Sequence, residues 1–199
     1  RKLDFALGFL TLYSQVLNMK KQLIYLAILF VLAIGSRLIA PWPNFTAMTA
    51  VVFTCGMLFG KRYQALLFPM LILFVSDFII NNTLYSYMGF TLITQGAGWL
   101  YSSYLLIALL GVLNFGSSKW AHVVVGGISG TLLFFLLTNF GVWLGNPAYP
   151  QSFNGLIGSY VAGLPFLLNQ VLGTVFYGVV IVAAYRLTEG KPVLERIRA

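Results

Sequence analysis

Between Gln22 and Leu187 the only Asp, Glu, Lys or Arg residues are Arg37, Lys61, Arg62, Asp77, Lys119 and Arg186. A soluble domain carries about 25% charged residues, because it has a surface to solvate. Here the figure is 8%, against 59% from the apolar and aromatic set. The uninterrupted runs approach the ~20 apolar residues that a hydrocarbon core requires. They are too long and continuous for the alternating ~10-residue strands of a membrane barrel. The expected fold is therefore an all-α integral membrane protein, a six-transmembrane-helix bundle.

Six spans are expected at about 22–40, 46–60, 63–81, 92–113, 120–144 and 164–187, forming a single membrane domain over residues 19–199. The preceding residues, 1–18, read as an N-terminal extension, open between extra translated sequence and a short interfacial helix. Met19-Lys20-Lys21 before an apolar run also fits a signal peptide. The length of that run, the lack of an A-x-A site and Arg37 near its end favour a retained span.

A formal net charge of +8 would suggest nucleic acid for a soluble chain. Here the basic residues fall in alternate connections. Lys20 and Lys21 precede span one, Lys61 and Arg62 join spans two and three, and Lys119 joins spans four and five. Arg186, Lys191, Arg196 and Arg198 follow span six. The connections 41–45, 82–91 and 145–163 hold no Lys or Arg. By the positive-inside rule both termini face the cytoplasm (N-in/C-in). Met19-Lys20-Lys21 before an apolar run looks like a bacterial start, so a bacterial cytoplasmic membrane is expected. Membrane lipid is thus an expected partner and nucleic acid is not.

This topology gathers polar residues toward the outer ends of the spans. Arg37 and Asp77 are the charged residues most clearly within apolar runs, where charges pair or line cavities. Their matched depth permits a mutual ion pair, either poised at a ligand or clasping two helices; the further alternative has Arg37 snorkelling to headgroups. Between spans one and two, Pro41-Trp42-Pro43-Asn44-Phe45-Thr46 forbids a continuous helix, with Asn44 or Thr46 as the expected N-cap of span two. Thr138 to Pro150 is rich in amides and aromatics. The candidate ligand-binding residues are Arg37, Trp42, Asn44, Phe45, Asp77, Asn139, Trp143 and Tyr149. The competing reading makes Trp143 and Tyr149 an interfacial aromatic belt.

No cofactor and no enzymatic activity are expected. Gly127-Ile128-Ser129-Gly130 matches the G-x-S-G of rhomboid proteases. Its only available base, His122, lies two turns away in the same span, roughly 10 Å along the axis, beyond hydrogen-bond reach. Gly60-Lys61 lacks the Ser/Thr and spaced glycine of a phosphate-binding loop. Cys55 is the one cysteine, so no internal disulfide forms. A thiolate can ligate a soft metal, but a lone buried cysteine behaves as a small hydrophobe. Gly56/Gly60, Gly126/Gly130 and Gly141/Gly145 have the spacing that lets membrane helices approach closely.

Arg37-Leu38-Ile39, Pro43-Asn44-Phe45-Thr46, Ser76-Asp77 and Thr138-Asn139-Phe140-Gly141-Val142-Trp143-Leu144 resemble a bacterial membrane family of unknown function. So do Tyr149-Pro150, Gly155-Leu156, Tyr160, Leu164-Pro165-Phe166 and Leu172-Gly173, and the resemblance covers about residues 22–187. That family is similar to the S-components of energy-coupling-factor vitamin transporters. The resemblance implies six helices with cytoplasmic termini and an S-component-like bundle. It also implies capture of a vitamin or trace-metal ligand from outside, followed by a toppling or rocking movement. A transmembrane coupling protein with ATPase subunits would supply energy. The A-x-x-x-A docking pattern of the first helix is not kept, since Ala27 is followed by Val31. Cobalamin-specific relatives direct a cysteine toward cobalt, which is the resemblance's case for Cys55. The expected function is small-micronutrient uptake; the alternative is a membrane scaffold or assembly subunit whose polar residues clamp helices.

Overall fold

The computed structural model describes residues 20–21, 23–59, 62–114 and 120–189. Among them the fold is all-helical. α1 spans Leu23–Leu38, α2 Met48–Leu58 and α3 Arg62–Thr83. α4 spans Ala97–Leu113, α5 Trp120–Gly145 and α6 Phe153–Glu189. A single 3-10 turn, Ser86–Met88, lies between α3 and α4.

Three segments, Tyr63–Thr83, Ala121–Gly145 and Phe153–Tyr185, are long and apolar enough to cross a membrane. They leave large apolar side chains uncovered, including Leu67, Leu71, Leu132, Leu136, Leu168 and Phe176. In water such a surface would aggregate; against acyl chains it is solvated. The chain is a membrane protein. α1, α2 and α4 are shorter apolar helices.

α2 is the hub. Every residue from Met48 to Met57 is buried, and the helix touches α3, α4, α5 and α6. An apolar stripe would leave one face for solvent; α2 is apolar all round because protein surrounds it. Its 11 residues rise only about 16 Å. That is about half a hydrocarbon core, and its enclosure means that no backbone is left to lipid. Close approach to α4 depends on two glycines. A Cβ on Gly56 would meet the Ala108 carbonyl oxygen at 2.3 Å, and one on Gly111 would meet that of Phe53 at 2.2 Å. Gly126 presses on the Phe53 ring and Gly141 on the Trp99 indole, whereas Gly145 has nothing within 4 Å.

Three local expectations are revised. Neither Asn44 nor Thr46 caps α2. The N-cap is Ala47, whose backbone N–H donates to Ser36 Oγ at 2.9 Å, so the preceding helix supplies the cap. The fourth helix starts at Ala97 and not near 92, because residues 84–96 form a loop clamped to the end of α3. Asn82 accepts from the Thr91 N–H at 3.1 Å and donates to the Thr91 carbonyl at 2.9 Å. Asn81 reaches Thr94 Oγ1 at 2.9 Å. The loop closes at Gly96, with φ 77°, where glycine has no Cβ penalty.

The sixth helix begins at Phe153, well before the expected 164. Pro165 suits a helix start, yet here it lies inside the helix. The lost hydrogen bond is offset by packing of 153–163 on α5. Tyr160 donates its hydroxyl to the Leu136 carbonyl at 2.9 Å, and Ser159 to that of Asn139 at 3.2 Å. The expectations for 1–18 and for the basic residues Lys61, Lys119, Lys191, Arg196 and Arg198 fall outside the described residues.

Candidate ligand-binding site

The proline-rich turn is locally determined. Phe45 N–H donates to the Trp42 carbonyl at 3.1 Å, and Asn44 has φ 64°. Pro at the second position and Asn at the third, with positive φ, are the requirements of a type II turn. Asn169 of α6 then donates to the Pro43 carbonyl at 3.0 Å. Gly173 lets the turn close on α6, since a Cβ there would lie 2.9 Å from the Thr46 nitrogen. Two residues distant in sequence thereby seat the turn on α6.

Beside this turn, α5 and α6 enclose a cavity of about 110 Å³. Asn44, Thr138, Asn139 and Gln170 supply its polar lining, with Gly163 at its wall. Asn139 Nδ2 donates to the Phe135 carbonyl at 2.9 Å, and Thr138 to that of Phe134 at 2.8 Å. Gln170 is 4% exposed, and its Nε2 donates to Thr49 Oγ1 at 3.0 Å. Among the described residues nothing donates to Asn139 Oδ1 or Gln170 Oε1, so the cavity presents open acceptors.

A second polar centre lies among α1, α3 and α4. Arg37 pairs with Asp77 Oδ1 at 2.5 Å, and its other terminal nitrogen donates to Ser76 Oγ. The expected pair forms. Asp77 is 4% exposed, and its Oδ2 finds no partner among the described residues. Tyr101 and Tyr104 feel both charges, and Tyr104 also interacts with Thr49. Thr49 therefore stands between the two centres, bonded to Gln170 on one side and facing Tyr104 on the other. Polar groups thus run from the ion pair through α2 to the cavity.

The remaining candidates lie elsewhere. Phe45 packs at a tilt against Phe176 and Tyr177, and Trp42 sits edge-on to Phe45 at 5.4 Å. Neither lines the cavity. Trp143 Nε1 donates to the Pro150 carbonyl at 3.0 Å, and Gln151 donates back to the Trp143 carbonyl at 2.7 Å. Tyr149 rests on Gly158. Both residues fasten the 146–152 connection. Cys55 is fully buried in the apolar core around α2. No group of three His, Cys, Asp or Glu capable of holding a metal occurs among the described residues.

Sequence reasoning named Arg37, Asp77, Asn44 and Asn139 but passed over Thr49, Tyr104 and Gln170 as site residues. The available signal was a hydroxyl or amide inside an apolar run, which must find a partner.

The model of a family of unknown function, DUF6580, matches residues 17–195. The chain belongs to DUF6580. The uncharacterised-family half of the resemblance is thereby established. Comparison with curated proteins and with solved structures returns no match. The DUF6580 match spans all six helices, including every residue of the cavity and of the ion pair.

Proposed function

We propose that this DUF6580 chain is a membrane substrate-binding and uptake protein for a small micronutrient, vitamin-like or related to a trace metal. The ligand is taken from the outer face of a bacterial cytoplasmic membrane, and a separate partner supplies energy. The observation that carries this reading is the cavity itself. Amides from the 41–46 turn, α5 and α6 converge on it beside the aromatic faces of Phe134, Phe135 and Phe166, the mixture that small-molecule sites use. In this reading the chain passes through the membrane six times with both termini in the cytoplasm. The short α2 covers about half of its pass as helix, wholly within protein, in an S-component-like bundle. A transmembrane coupling protein with ATPase subunits is the partner that the resemblance implies. Arg37 and Asp77 then act as the brace behind the pocket, and Asn44, Asn139 and Gln170 touch the ligand.

Purified in mild detergent, the protein is expected to retain a stoichiometric small molecule, identified by mass spectrometry after denaturation. Asn139→Ala and Gln170→Ala should lose it while remaining folded. Two observations favour the scaffold alternative. Trp143 and Tyr149 are engaged in holding a connection, and about 110 Å³ is small beside the ~300–1,000 Å³ of drug-sized pockets. An empty protein that ignores a panel of vitamins and trace metals would transfer the conclusion to the scaffold.

A further inference from the structure

The cavity's lining discriminates between ligand classes. None of its residues carries a charge. Arg37 and Asp77, the charges reached from the cavity by way of Gln170, Thr49 and Tyr104, neutralise each other. An ion entering would lose its hydration and gain no counter-charge, which is strongly unfavourable in an apolar surround. An uncharged solute meets no such penalty.

Size and polarity narrow the class further. A cavity of about 110 Å³ is somewhat below the roughly 150 Å³ engineered cavity that accommodates benzene, and this one is partly open. The enclosed part is thus smaller than a whole ring, and the open side holds the remainder: the edge of one ring, or the head of a longer molecule, is the scale that fits. Phe134, Phe135 and Phe166 supply aromatic faces for it. Asn139 and Gln170 have each committed an N–H to the protein, to the Phe135 carbonyl and to Thr49. Their carbonyl oxygens take no hydrogen bond among the described residues. A fitting ligand therefore brings N–H or O–H donors to the polar side and a flat apolar face to the rings.

We infer that the cavity binds an uncharged, single-ring-sized solute bearing a hydrogen-bond-donating edge, such as a primary carboxamide. This rests on the binding reading above and names the ligand class of the same site.

The probes are benzamide, benzoate and benzylammonium, which share a ring and differ in charge. Each is titrated calorimetrically into the full chain in detergent. Benzamide should bind saturably, with both ions at least about tenfold weaker, since an unpaired polar or charged group is what such a site rejects. Gly163→Ala should abolish benzamide binding, because the new Cβ would lie 2.5 Å from Asn139 Oδ1. Gln170→Glu should shift the preference toward benzylammonium, which a merely structural glutamine would not do. Asn139→Asp carries the same test if Gln170→Glu fails to fold. No saturable benzamide binding, or equal or better binding of either ion, overturns the inference. The binding reading fails separately. A charged molecule retained by the protein and lost in Asn139→Ala would sink the neutral class and leave binding intact. Absence of any retained molecule, together with silence from all three probes, would sink both.

Discussion

Asp77 shows how an apolar surround magnifies one side chain. Its carboxylate is 4% exposed and bonded through a single oxygen to Arg37. Removing either partner strands the other charge, at a cost of about 3–5 kcal/mol. Asp77→Asn and Arg37→Met should each lower the thermal unfolding midpoint markedly. Arg37→Met combined with Asp77→Leu should recover most of that loss, because apolar groups of similar volume often match a buried pair. A double variant no more stable than the singles would place the pair's value elsewhere, in ligand or transport. Trp143 presents the opposite case. Its indole N–H meets an exposed carbonyl, so Trp143→Phe should cost only about 0.5–1.5 kcal/mol and leave ligand retention unchanged. The ion pair was legible in the sequence, since two opposite charges at matched depth in apolar runs have few other partners. The cavity amides were only half legible. Asn44 and Asn139 stood out in short polar clusters, whereas Gln170 and Thr49 gained meaning only when 121 residues of separation closed to one hydrogen bond.

At the level of elements, backbone contact at glycine governs how α2 docks. Gly111 faces the Phe53 carbonyl so closely that a Cβ would sit 2.2 Å away, and backbone cannot yield as a flexible side chain does. Gly111→Ala should therefore force α2 and α4 apart and sharply reduce thermal stability. Gly98→Ala, in the same helix with nothing within 4 Å, is the control and should be neutral or slightly stabilising, as alanine favours helix. Equal effects from the two would refute this account of the crossing. Helix ends followed a different logic from helix existence. Leu92 and Ile93 look like span residues by hydropathy, yet Asn82 holds the neighbouring Thr91 backbone in a loop. Pro165 looks like a helix start, yet α6 continues through it because residues 153–163 have α5 to pack on. Local preference sets a prior, and tertiary contact overrides it at these boundaries.

For the whole molecule, the pattern of charge predicts an orientation that labelling can test. Met88 is 71% exposed in the α3–α4 connection, and the native Cys55 is fully buried. A membrane-impermeant maleimide applied to intact cells should label Met88→Cys but not Lys21→Cys, with Cys55 silent in both until the protein is unfolded. Labelling of Lys21→Cys from outside would reverse the proposed topology. By itself the amino-acid sequence determined that this chain lives in a membrane and builds six apolar helices, and which two charges sit within apolar runs. These properties are sums or neighbours along one dimension, where hydropathy and charge accumulate locally. Only the tertiary structure decided that α2 is the enclosed hub and that Trp143 fastens a connection. It alone brought Asn44, Asn139 and Gln170 around one cavity. These outcomes depend on contacts such as Asn169 to Pro43, across 126 residues. In lipid, packing and hydrogen bonding between helices select such contacts, and hydrophobicity does not.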